Sequence, residues 1–345
     1  MKAIVAVEKG KVEVQEVSVP KLRDGYVLAK VKAIGLNPAD WKSKDLRAVP
    51  GIRMGLDYAG VVEELGNGVT NLKKGDRIAG FLNGGNQLEH EDGAFQEYVV
   101  ARARIQIKIP DNITDEEAAT LGVSTITVGQ GLYKNLGLPW PNNPTKEPFP
   151  VFIHGGSTAT GLYGIQYAKA SGLTVITTAS PRNFDYLKSL GADAVFDYKS
   201  PTCGADIRAF TNNKLKHAWD CTSGGEIVAS ALTDQDEGKY WSVVPVDSDK
   251  VHAINPKVDG PHAHLGYAAL GDPYVWFDTY VDANAEEHEN GVRFVELASK
   301  LLADGTVKPI RTFVNSGGAG LEGAVKGLDE LRAGKVSAGK LVYTL

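Results

Sequence analysis

The sequence predicts an α/β chain of two bodies, a β-rich domain and a doubly wound parallel-sheet domain. Short alternating strands broken by turns run to about residue 115, strand and helix then alternate to about 280, and a glycine-rich turn at 155–161 joins an apolar run to a helix. With 345 residues and 43% hydrophobic content, the chain can bury a large core, and that length suits two domains.

The first zone reads as strands Val12–Val17, Tyr26–Ile34, Gly60–Glu64 and Phe95–Val100, with turns at Gly75-Asp76 and Gly84-Gly85. Prolines 139, 141, 144, 148 and 150 deny helix to Leu138–Pro150, which reads as a loop or insertion. The second zone reads Val151–Ile153, Leu162–Ala170, Thr174–Thr178, Phe184–Leu190, Ala194–Phe196, His217–Asp220 and Tyr240–Val244, a parallel sheet with ligands at the carboxyl edges of its strands. The last zone, from near Glu286, carries a helix Val292–Ala303, a strand Ile310–Phe313, a helix Leu321–Ala333 and a strand Lys340–Thr344. Those elements can complete the first domain, which gives domains of 1–116 with 281–345 and of 117–280, with a cleft between the bodies.

In the run Gly155-Gly156-Ser157-Thr158-Ala159-Thr160-Gly161, glycines without β-carbons let a pyrophosphate approach the backbone, while the helix start offers free amides to the negative charge. A glycine-rich corner that only packs strand on helix is the competing reading, since the run departs from G-x-G-x-x-G. The following helix, Gly172 and strand complete a β-α-β unit. That second strand ends in Ala179-Ser180-Pro181-Arg182-Asn183, without the Asp or Glu that binds ribose hydroxyls and repels a 2′-phosphate. Ser180 and Arg182 can instead bind that phosphate, which favours NADPH; a surface arginine at a helix start is the alternative.

A net charge of −5 with interspersed signs leaves no basic footprint for nucleic acid and no polybasic membrane patch. No stretch reads as a signal peptide or membrane span, and two cysteines, Cys203 and Cys221, make neither a disulfide framework nor a zinc motif, so a cytoplasmic location is expected.

Several motifs recur in a recognisable order: Gly35-Leu36-Asn37-Pro38-Ala39-Asp40, Gly55-Leu56-Asp57-Tyr58-Ala59-Gly60-Val61-Val62, Lys74-Gly75-Asp76-Arg77-Ile78, Gly93-Ala94-Phe95-Gln96-Glu97-Tyr98 and the glycine turn. Over its whole length the chain resembles the medium-chain dehydrogenase/reductase superfamily, with a GroES-like domain and a Rossmann domain, in the branch of quinone and enoyl reductases. The runs at 155–160 and 180–185 are most similar to fungal trans-acting enoyl reductases, which serve polyketide synthases whose own reductase is missing or dead. The resemblance implies a carrier-protein-tethered acyl substrate and a monomer or weak dimer.

It also places Asn37, Leu56 and Gly122 where zinc-dependent relatives hold their ligands; none supplies a thiolate or imidazole, so no metal is expected. The trio Glu89, His90 and Asp92 can in principle grip a metal, and reads otherwise as a solvated acidic loop. Without a Lewis acid, hydride addition to the β-carbon of a conjugated enone or thioester is the expected reaction, because conjugation already makes that carbon electrophilic. Lys42 matches a lysine of the trans-acting reductases and can stabilise charge or relay a proton, while a surface lysine or a water proton source is the alternative. Asn37 and Thr125 complete the catalytic candidates, Thr125 standing where relatives place a threonine near nicotinamide. Tyr198 matches a tyrosine that lies against the adenosine phosphate, so the cofactor candidates are Gly155, Gly156, Ser157, Thr158, Ala159, Thr160, Ser180, Arg182, Asn183 and Tyr198. Asp220 either orients backbone or caps a helix, and Tyr58 either faces the site or fills the core. Lys42, Lys44, Arg47 and Arg53 form one basic stretch that suits an acidic carrier, or a solvated face interrupted by Asp45. Three functions follow: a trans-acting enoyl reductase, a free-standing enone or quinone reductase, and a non-enzymatic NADPH-binding protein.

Overall fold

The computed structural model describes residues 1–345, which separate into two compact units: Met1–Ile126 with Gly266–Gly305 and Pro309–Leu345, and Thr127–Leu265 with Thr306–Lys308. The breaks fall at 126/127 and 265/266, where the sequence reading had 116/117 and 280/281.

In the first unit the strand Tyr26–Gly35 is the organiser, pairing antiparallel with Asp57–Leu65, Tyr98–Arg102 and Lys340–Thr344. Its first half alternates little because both faces are covered, and Val27, Ala29, Val31 and Ile34 enter a core with Tyr58, Ile78, Phe95 and Tyr343. The last strand, Lys340–Thr344, joins the sheet through pairs such as Val342 with Gly35, so the C-terminal zone completes the unit that the N-terminal zone began. A helix Pro38–Leu46 follows the organising strand, and its polar sequence had concealed it. Pro38 occupies the first turn, where its missing amide proton costs nothing. The long helix Ala285–Ala303 begins earlier than expected, because Asn284 accepts the Glu287 amide at 3.0 Å and caps a polar first turn.

The second unit is a six-stranded, all-parallel sheet. Its order across the sheet is Ala194–Asp197, Thr174–Ala179, Pro150–His154, His217–Asp220, Gly238–Ser242 and Val258–Ala263, so chain order reverses direction beside Pro150–His154. That is the doubly wound topology, and its switch point lies where the glycine turn begins. The fifth strand sits earlier than the expected Tyr240–Val244, and the sixth was not expected, since Gly260 and Pro261 interrupt its pattern. Helices Cys203–Phe210, Gly225–Ala231 and Ser248–Ile254 also went unread, being short and only partly apolar.

Candidate functional site

The glycine turn follows the strand Pro150–His154. The helix after it begins at Ala159, not near Leu162, because Thr158 closes a cap: its hydroxyl accepts the Gly161 amide at 2.9 Å and donates to the Gly155 carbonyl at 2.8 Å. The amides of Ala159 and Thr160 precede any acceptor within the helix. Gly155 has a φ of +81°, which favours glycine. Gly156 is glycine for an internal reason: a β-carbon there would stand 2.1 Å from Thr177 Oγ1 and 2.9 Å from Leu187 Cδ2. Close packing on Thr177 and Leu187, rather than room for a ligand, therefore fixes Gly156, as the packing-corner reading of the turn expects.

Beneath the turn lies a polar layer that the sequence reading missed apart from Asp220. His154 is buried, its Nδ1 is 2.8 Å from Thr178 Oγ1, and burial holds its imidazole below the usual range. Asp220, fully buried, accepts from the amides of Thr222 (2.8 Å) and Gly224 (2.7 Å), the Thr222 hydroxyl (3.1 Å) and the Tyr240 hydroxyl (2.7 Å). It thus orients loop backbone; the helix Gly225–Ala231 has Gly224 at its cap and no side-chain cap bond. Polar residues at the carboxyl ends of apolar strands were the available signal.

Ser180 follows the strand Thr174–Ala179, and its backbone carbonyl, not its hydroxyl, accepts the Asn183 amide at 2.9 Å in the turn Pro181–Asn183, with Asn183 buried. Arg182 is exposed, as is Tyr198 just beyond the strand Ala194–Asp197.

In the first unit, Asn37, Asp40, Asp57 and Lys340 form one buried polar cluster. Lys340 Nζ donates to Asn37 Oδ1 at 2.9 Å, to the Asp57 carboxylate, and to the Thr120 carbonyl at 3.5 Å. The other Asp57 oxygen accepts the Val123 amide at 2.6 Å, at the start of the helix Gly122–Val128 that carries Ser124 and Thr125. Both hydroxyls, and Asn37 Nδ2, are buried without a hydrogen-bond partner. Asp40 accepts the Asn37 amide at 2.6 Å, and burial pushes its carboxyl up to about 8. Lys42, on the helix Pro38–Leu46, is exposed beside the Trp41 ring. Tyr58 is core, its hydroxyl donating to Gln106 Oε1 at 2.8 Å.

The basic stretch does not form a face. Lys44 is buried against Asp329 at 3.2 Å, Arg47 is buried with Ser43 and Tyr267 and lies over the Trp276 ring, and Arg53 is buried with Gln96 at 3.0 Å, which leaves Lys42 alone exposed. Of the acidic trio, His90 is exposed and Glu89 is partly so, 3.6 Å from Arg23, as a solvated loop would have them, while Asp92 departs from that reading, pairing with Arg23 at 2.6 Å and Asn86 at 3.0 Å. Burial pushes Asp92 up to about 6 against the pull of Arg23. No group of three His, Cys, Asp or Glu side chains gathers in a metal-holding cluster.

Comparison with known proteins places the chain. Residues 23–111 match the alcohol dehydrogenase GroES-like domain, and residues 159–238 match a family described as zinc-binding dehydrogenase. The trans-enoyl reductase ACTTS2 of Alternaria alternata is 43% identical over 353 residues, taking in 100% of this chain and 98% of that one. The trans-enoyl reductase resD of Aspergillus sclerotiorum is 38% identical over 366 residues, with 99% of both chains covered. Among solved structures, a mycobacterial protein complexed with NADPH superposes with a TM-score of 0.76 at 22% identity, over 100% of both chains. With GroES-like and Rossmann domains and full-length kinship to these fungal enzymes, the chain belongs to the trans-enoyl reductases of the medium-chain dehydrogenase/reductase superfamily.

Proposed function

We propose that this enoyl reductase is NADPH-dependent and trans-acting, and that it reduces the conjugated double bond of a polyketide thioester carried by a partner synthase. The carrying observation is Arg182, exposed and without an ion-pair partner at the end of the second strand of the β-α-β unit, where no carboxylate stands. Such a guanidinium suits a 2′-phosphate, with the Ser180 hydroxyl beside it. The first-turn amides of the helix Ala159–Ala170 and the polar run 157–160 suit the pyrophosphate, with Gly155 and Gly156 shaping the turn. Asn183 and Tyr198 border the adenosine end.

When bound, NADPH supplies a hydride to the β-carbon. The double bond's electrons move onto the thioester oxygen as an enolate, and the α-carbon then takes a proton. This chain's task is to hold that enolate, by Asn37 and Thr125 in the buried cluster and by the Lys42 ammonium, which can also relay the proton. The reaction proceeds without zinc, since Asn37, Leu56 and Gly122 offer no thiolate or imidazole. The edge strand Val258–Ala263 carries Pro261 and pairs with a register shift, features that blunt sheet-to-sheet association and support a monomer or weak dimer. No helix is long and apolar enough to cross a membrane, and we place the enzyme in the cytoplasm.

The test is oxidation of NADPH with an α,β-unsaturated acyl-pantetheine thioester, run beside NADH and beside a simple quinone. Turnover of the thioester with NADPH preferred supports the proposal. Equal use of NADH overturns the assignment of Ser180 and Arg182, and turnover of the quinone alone favours a free-standing reductase.

A further inference from the structure

Asn37 presents an amide whose two ends cannot be exchanged. Lys340 is a pure donor, and its ammonium spends its three protons on Asp57, Asn37 Oδ1 and the Thr120 carbonyl. Asn37 must therefore turn its oxygen to Lys340, which leaves Nδ2 with two protons to donate. That nitrogen is buried and makes no well-formed hydrogen bond: the Asp40 carboxyl, which the Asn37 side chain helps hold down, is taken by the Asn37 backbone amide at 2.6 Å, and the hydroxyls of Ser124 and Thr125 are likewise unpartnered. A buried donor left unpaired costs free energy unless a ligand supplies the acceptor. Lys340 is itself saturated, 2% exposed, and has no proton to offer a ligand.

The missing partner is an oxygen acceptor. In the proposed reaction, the thioester carbonyl is one, and its acceptor strength rises as hydride arrives and the oxygen becomes an enolate. We infer that Lys340 is a positioning residue which, held by Asp57, locks Asn37 so that its Nδ2 amide is the donor for the substrate's carbonyl oxygen. Asp57 serves both sides: one oxygen holds Lys340, and the other holds the Val123 amide and so the helix bearing Ser124 and Thr125. The inference rests on the enoyl-reductase reading above.

Two variants test it. Asn37→Ala removes the donor and keeps the backbone half of the helix start, where the Asn37 carbonyl accepts the Asp40 amide at 3.0 Å and the Asn37 amide still reaches the Asp40 carboxyl. Lys340→Gln combined with Asp57→Asn keeps size and polarity but puts an amide, both donor and acceptor, against Asn37, so the lock is lost without stranding a charge. Kinetics with crotonyl-pantetheine are read beside the infrared carbonyl band of the ¹³C-labelled thioester bound with NADP⁺, which cannot deliver hydride. In wild type the band is expected to lie below its position in water. Asn37→Ala is expected to lower kcat about a hundredfold with KM little changed, the mark of an interaction made in the transition state, and to return the band upward. The double variant is expected to lose about tenfold in kcat and to broaden or split the band.

A wild-type kcat and band in Asn37→Ala overturns the donor, and a wild-type kcat and band in the double variant overturns the lock. If the double variant does not fold, Lys340→Arg, another pure donor, is compared with Lys340→Gln; equal behaviour of the two overturns the lock. If wild type fails to reduce the thioester, the proposed function falls, while the infrared band of the bound thioester still decides the role of Asn37, an unshifted band overturning it.

Discussion

Tyr240 donates its hydroxyl to Asp220 Oδ2 at 2.7 Å across neighbouring parallel strands, completing the shell around a carboxylate that also holds the Thr222 and Gly224 amides. Burial and that carboxylate together keep the Tyr240 phenol protonated. Tyr240→Phe removes one bond of four to a buried charge, and we expect a loss of about 1.5–3 kcal/mol in unfolding free energy. Urea denaturation measures it; an unchanged midpoint would mean that the loop backbone alone satisfies Asp220.

Arg182→Ala is expected to raise the KM for NADPH about 10- to 100-fold and to leave that for NADH where it is, the worth of a charge-assisted bond to the 2′-phosphate. Steady-state kinetics with both cofactors give the answer. Equal effects on the two would assign Arg182 to some other part of the cofactor or to none.

Gly156→Ala sets a β-carbon 2.1 Å from Thr177 Oγ1, a strand atom with little freedom, since that hydroxyl is bonded to the Ile153 carbonyl at 2.6 Å. We expect about 1–3 kcal/mol of destabilisation from overpacking. The companion change Thr177→Ala, which opens the space, should return part of it, as a double-mutant cycle would show.

Asp40 gives a pH dependence with a definite sign. The folded protein keeps this proton up to about 8, while a carboxyl in the unfolded chain loses it near the ordinary aspartate value of 3.8. Between those values the native state binds more protons than the unfolded one, so stability falls as pH rises through that window, by at most about 1.4 kcal/mol per unit. Asp40→Asn keeps an acceptor for the Asn37 amide and removes the slope. Its melting temperature should therefore gain on wild type from pH 5 to pH 8; a constant gap would show Asp40 ionised throughout.

The parallel sheet was legible because most of its strands are short apolar runs, and because the glycines at 155, 156 and 161 mark the turn where its first strand gives way to a helix, although the cap at Thr158 that sets the helix start was not read. The helix Pro38–Leu46 was not, since a polar run after proline carries no clear period. The resemblance brought Asn37 and Thr125 into the candidate set, but not what links them: Lys340 opens a strand near the end of the chain and looks like a surface residue. Arg47 and Arg53 mislead in the same way, because their type suggests solvent while their partners, Tyr267 and Gln96, lie far away in sequence. Charge in sequence says nothing about burial until tertiary partners are known.

Asp57 and Lys340 are separated by 283 positions. During synthesis the ribosome releases the carboxylate long before the ammonium, and the entire parallel-sheet unit emerges in between. The N-terminal segment must therefore wait, its sheet two strands short and an anion without its counterion, while the nucleotide-type unit has all but a few of its residues to condense upon. Assembly should consequently run middle first, with closure of the outer unit as the final event. Premature release of the nascent chain would leave a finished centre attached to an unfinished, chaperone-dependent flank.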